Sequence, residues 1–133
     1  MKDMTPAMQP TTKTARVLTL DDGCPELPLV VGKGRAVALI WPGSGATSRT
    51  MHHVTLEDGG ATILQRHDGE AVYYVKSGTG VVIDPDAASR DPLVEGNMVF
   101  IEAGTAYRFE ADTSGMVLLG GPCPADLALY SHL

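Results

Sequence analysis

Short apolar runs recur along the chain at 17–20, 29–31, 36–41, 51–56, 61–67, 71–76, 80–83, 97–101, 106–109 and 116–119. Turn-forming clusters separate them: Asp22-Gly23, Pro42-Gly43, Asp58-Gly59-Gly60, Asp68-Gly69, Asp84-Pro85-Asp86, Glu95-Gly96 and Ala103-Gly104. Short runs punctuated at this rhythm are the pattern of an all-β sandwich or barrel. The stretch 68–75 shows the logic locally, because Asp68-Gly69 closes a turn and β-branched and aromatic residues then run on as a strand. Only the tail 124–132 has helical character, for about two turns. Residues 1–14 are polar and aperiodic and read as a flexible arm, which leaves 15–133 as a single domain.

Composition narrows the class further. A chain of 133 residues, 44% hydrophobic and 20% charged, is long enough to bury one core and too short for two. Its 15 glycines and 9 prolines are more than a helical bundle tolerates. A formal net charge of −6 with no run of Lys or Arg argues against a nucleic-acid partner. No apolar stretch approaches the length of a membrane-spanning helix, and the N-terminal segment lacks the apolar region of a secretion signal. The expected location is therefore cytoplasmic, with Cys24 and Cys123 as free thiols.

Two stretches carry a denser pattern. From Gly59, five residues lead to Gln65-x-His67, three more to Ala71 and six more to Gly78. From Gly96, five lead to Glu102-x-Gly104, two more to Tyr107 and three more to Ala111. This spacing resembles the two signature motifs of the cupin superfamily, and the fifteen residues between Gly80 and Gly96 match the inter-motif loop of a compact member. The resemblance implies a double-stranded β-helix, a jelly-roll barrel, with a small-molecule site inside it.

In that family a metal is held by two His and one Glu of the first motif and one His of the second. The matching positions here are Gln65, His67, Ala71 and Tyr107, so one ligand survives. A neutral amide oxygen, a methyl group and a protonated phenol are poor partners for a first-row metal. The resemblance thus implies no standard metal site, and the expected cofactor is none. The alternative is a rebuilt site for iron, nickel, manganese or zinc. It would join His67 and Gln65 to Glu70, turned inward by a bulge at Asp68-Gly69, to His52 or His53, and to Tyr107. Adjacent residues on a strand face opposite ways, so one of His52 and His53 looks into the barrel.

With Gln65 and His67 inward, alternation places Ile63 beside them and sends Leu64 and Arg66 outward. Ala71, Tyr73, Val75, Tyr107 and Phe109 then line the cavity, with Trp41 at its mouth. His67 and Tyr107 are the candidate acid/base pair, since an imidazole and a phenol across one pocket can share a proton transfer. Gln65, Tyr73, His53, Trp41 and Phe109 are the candidate substrate contacts. Such a site suits dehydration, isomerisation, epimerisation or cyclisation of a small polar metabolite. Two other classes stay open: a metal-dependent dioxygenase or lyase with altered ligands, and a non-catalytic ligand-binding or sensor protein. Outward Leu64, Val72 and Tyr74 need cover, which a homodimer would provide.

Overall fold

Nine strands build the described part of the chain, residues 14–133 of a computed structural model. They are β1 (Glu26–Leu27), β2 (Val30–Val31), β3 (Gly34–Ile40), β4 (Met51–Leu56), β5 (Ala61–Thr62), β6 (Glu70–Asp84), β7 (Ser89–Val94), β8 (Met98–Ile101) and β9 (Arg108–Cys123). The arm expected over 1–14 lies outside the described residues except for Thr14. β6 and β9 are the long members, and they pair antiparallel from Glu70↔Cys123 to Ile83↔Arg108. Each also serves two further neighbours. The first half of β6 takes β8 and its second half β7, while β9 pairs with β5 early and β4 late. β3 and β1 continue outward from β4, and the whole is the jelly-roll barrel that the spacing predicted.

The bend in the long strands has a local cause. Register shifts fall between Val75 and Ser77 and between Gly78 and Gly80. Gly78 has φ +82°, and a Cβ there would lie 2.1 Å from the Gly115 carbonyl oxygen, so only glycine allows the two strands to meet. Inside, alternate residues of the barrel strands meet: Val54 and Leu56, Ala71, Tyr73 and Val75, Phe109, Met116 and Leu118.

Several predicted runs come out differently. The run 51–56 is β4 itself, but 71–76 and 80–83 fuse into β6, and 106–109 and 116–119 fuse into β9. The polar and glycine residues between them stay in the ladder because a partner strand is present on both sides of the gap. The run 17–20 forms no strand and leaves Val17 exposed, since no neighbour among the described residues pairs with it. Residues 89–94, expected as loop, form β7; it pairs with β6 alone, and Pro92 is tolerated on such an edge. The tail makes a single 3-10 turn, Leu127–Tyr130, in place of two helical turns.

Candidate functional site

Two backbone hydrogen bonds bring the two motifs together. The Gln65 N–H donates to the Tyr107 carbonyl at 2.8 Å, and the Tyr107 N–H donates to the Gln65 carbonyl at 2.9 Å. The Gly104 N–H then donates to the His67 carbonyl at 2.8 Å. The run 61–67 is therefore not one strand. β5 ends at Thr62, the Ile63 N–H turns to the Leu29 carbonyl, and pairing resumes at Gln65. Alternation slips across that break. Thr62 faces inward, its hydroxyl accepting from the Phe109 N–H at 2.9 Å, and Ile63 is exposed beside Leu64, against expectation. Gln65 and His67 are buried, as the inward reading required.

Four side chains form one hydrogen-bonded line through this end of the barrel. His67 Nδ1 lies 2.8 Å from Asp126 Oδ2, and its Nε2 lies 2.8 Å from the Tyr107 hydroxyl. The Tyr107 hydroxyl in turn lies 2.7 Å from that of Tyr73. A carboxylate only accepts, so Nδ1 donates to it; in the neutral ring Nε2 then accepts from Tyr107, and the Tyr107 oxygen accepts from Tyr73. Every donor in the line then points the same way, which strengthens each bond. Burial, then the neighbouring Tyr73, pushes Tyr107 far above the ordinary phenol range. Burial pushes Tyr73 up to about 12, against the pull of Tyr107 and Gln65. Both phenols are thereby held as donors. Phe109 backs the pair, its ring edge-on to Tyr73 at 4.8 Å.

Asp126 arrives from the C-terminal tail. The chain leaves β9 through a cis Cys123–Pro124 bond. It passes so close to Gly69 that a Cβ there would sit 2.7 Å from the Cys123 carbonyl oxygen. Asp126 also caps the 3-10 turn, accepting from the Ala128 N–H at 3.2 Å through its other oxygen. Four residues on, the Tyr130 hydroxyl meets His52 Nε2 at 2.7 Å, and its ring lies 5.0 Å from that of Trp41. Sequence reasoning missed both Asp126 and Tyr130. A cap residue before a helical tail was the only local signal, and it says nothing about which strand the tail meets.

Of the adjacent histidines, His52 faces in and His53 faces out. His53 lines a pocket of about 230 Å³ on the outer surface with Leu20, Asp21, Asp22 and Arg35, apart from the other proposed substrate contacts. His52 is fully buried, and its Nδ1 has no partner. Burial, then the nearby His67, lowers its pKa to about 4, so it is a neutral ring near pH 7. Trp41 is half-buried on the His52 side, and Phe109 is fully buried in the core.

The rebuilt metal set does not assemble. Glu70 is exposed at the start of β6 and no bulge turns it inward. His52 is held by Tyr130, and both ring nitrogens of His67 are engaged. Gln65 offers one buried, unpartnered amide oxygen, Oε1. Among the described residues, no group of three or more His, Cys, Asp or Glu side chains could hold a metal ion. This donor set does not fit a resident metal.

Two clefts reach the line of side chains. One, of about 410 Å³, is lined by His67 and Asp126 with Arg66, Asp68, Pro124 and Leu127. The other, of about 360 Å³, is lined by Tyr107 with Asp84, Ser89, Asp91, Glu102 and Thr105. Arg66, exposed at the edge of the first cleft, is held by Asp86 and the Gly104 carbonyl.

Comparison with known proteins gives one family and many folds of the same kind. A family model described as "Cupin domain" matches residues 52–119. No curated protein matches the chain. Among solved structures, a predicted oxalate decarboxylase from Thermotoga maritima is 21% identical with a TM-score of 0.66, over 81% of this chain and 98% of that one. An RmlC-like cupin from Shewanella frigidimarina is 16% identical with a TM-score of 0.64, over 84% and 93%. The polyketide cyclase RemF from Streptomyces resistomycificus is 20% identical with a TM-score of 0.59, over 90% and 83%. At these identities the likeness is one of fold.

Proposed function

The chain belongs to the cupin domain family, and from that membership and the Asp126–His67–Tyr107 line we propose a metal-independent acid/base enzyme acting on a small polar metabolite. The observation that carries this reading is His67, held between a carboxylate and a phenol at a position where the family places a metal ligand. His67 takes a proton at Nε2, and Asp126 fixes the ring and stabilises the imidazolium that forms. Tyr107 supplies the proton at its hydroxyl and is reprotonated by the proton that His67 took, or it hydrogen-bonds a developing oxyanion, with Tyr73 donating a hydrogen bond to the Tyr107 oxygen throughout. The free Gln65 amide oxygen accepts from a substrate hydroxyl or amine. Asp84, Asp91 and Glu102 around the Tyr107 cleft favour a neutral or cationic substrate over a multiply phosphorylated one.

The reactions such a site serves are dehydration, isomerisation, epimerisation and cyclisation, which need proton movement and no redox centre. The fold of RemF, a polyketide cyclase, is consistent with the last of these. A metal-dependent route finds no support in the donor set described above. One observation favours a second reading, a binding or sensor protein without turnover: the line is closed, each of its donors already partnered, with Tyr73 and Tyr107 almost wholly buried.

The test is a thermal-shift screen of small metabolites, followed by turnover assays on those that bind. Substituting His67→Ala or Tyr107→Phe lowers turnover by roughly 10²- to 10⁴-fold on the acid/base reading. Full rates in both variants overturn it, and ligand binding without turnover by the unaltered protein leaves the second reading.

A further inference from the structure

We propose that the C-terminal turn is a lid, which swings off the barrel to admit a ligand to His67 and closes to return Asp126 to the ring. Beyond Cys123, the last residue of β9, the chain leaves the ladder. Among the described residues, the backbone hydrogen bonds of the tail stay within it. The Leu129 N–H donates to the Asp126 carbonyl, that of Ser131 to Ala128 and that of Leu133 to Tyr130. Three side-chain hydrogen bonds tie this segment to the barrel among the described residues. Asp126 meets His67, Tyr130 meets His52, and His132 Nε2 donates to the Glu26 carbonyl at 2.8 Å. Tyr130 is buried, while Leu127 and Leu133 are exposed. A segment held this way opens without breaking a strand pair, at far less cost than unfolding the barrel.

The other partner of His67 is fastened differently. Tyr107 sits in the bridge to Gln65, pinned by a backbone hydrogen bond in each direction. The His67 ring is buried with both nitrogens engaged, so a ligand reaches it only when one partner withdraws. Asp126 is the partner free to do so. The cleft of about 410 Å³ already runs along this seam, with residues 66–69 on one wall and 124–127 on the other. Opening widens it from the tail side and strips cover from His52, against which the Tyr130 ring lies edge-on at 5.8 Å. Closure excludes water and completes the Asp126–His67–Tyr107 line. The closed state as the working one rests on the acid/base reading, whereas the lid itself rests on how the tail is tied.

Two readouts on the full chain test this, each followed through low urea concentrations: backbone hydrogen exchange, and carbethoxylation of histidines by diethyl pyrocarbonate located by mass spectrometry. The Leu129, Ser131 and Leu133 amides are expected to exchange at a rate indifferent to urea, at least about a hundredfold faster than the β6 and β9 amides. Buried His52 is modified with the same indifference to urea. His132→Ala, at an exposed position outside the acid/base line, raises both rates together by about fivefold, and His53 on the outer surface does not change. Tail amides and His52 that follow the urea dependence of the β6–β9 ladder overturn the lid, because the tail then leaves only with the whole fold. Tail amides that open while His52 stays with the ladder also overturn it, since that is the mark of a fraying end. Neither readout needs turnover. A tail that opens and closes in a protein without turnover refutes the acid/base reading and leaves the lid standing.

Discussion

His52 and His67 both point into the barrel, and the same C-terminal turn grips both, Tyr130 holding the first and Asp126 the second. Burial does not separate them, since their exposures are 0% and 5%. Their partners do. His52 meets a neutral phenol, has an unpartnered Nδ1 and lies near a second imidazole, so a proton on it finds no compensating charge. His67 meets a carboxylate on one side and a phenol on the other, so both of its nitrogens are engaged by groups that can donate or accept. On the proposed acid/base reading, one ring packs and the other moves protons. A buried histidine is read by what its two nitrogens touch.

Three changes break or sharpen that contrast. The largest effect is expected from Asp126→Asn, which makes the partner of His67 as neutral as that of His52. Turnover on any substrate found falls by roughly 10²-fold or more, as when the carboxylate of an acid–histidine pair is lost. A rate unchanged in this variant would show that the carboxylate does no more than cap its turn.

The second concerns pH. The folded value of His52 lies below its unfolded value of 6.5, so the unfolded chain binds the proton first. Its contribution to stability is whole above about pH 6.5 and is lost as pH falls towards 4. Between pH 7 and pH 5 this amounts to about 2 kcal/mol. Urea unfolding of the unaltered protein and of His52→Gln at both pH values reads it directly, and equal pH slopes would refute it.

The smallest expected effect belongs to Tyr130→Phe. The ring stays against Trp41, but His52 is left without a partner on either nitrogen. A loss of about 1–2 kcal/mol in unfolding free energy, with turnover unaffected, is the expected outcome. A larger effect on turnover than on stability would move His52 into the working part of the site.

Much of this was legible before any coordinates. The resemblance carried by the glycine spacing implied that Gln65, His67 and Tyr107 share one pocket, and the structure adds that Gln65 pairs directly with Tyr107. The slip at Ile63 was not legible: alternation holds only while one partner strand is kept, and the chain changes partner there. β7 was missed because an edge strand can carry Pro92 and charged residues that look like loop.

The pattern of short runs and turns by itself determined an all-β sandwich or barrel, because it rests on local periodicity and turn chemistry. That His67 and Tyr107 share one pocket was implied by the resemblance of the two motif segments to those of the cupins. Only the tertiary structure decided which of the paired histidines faces inward and what completes each ring's hydrogen bonding. The Asp126 contact spans 59 positions and the Tyr130 contact 78. Contacts at such separations follow from how the tail docks across finished strands, and no short window of residues encodes that docking.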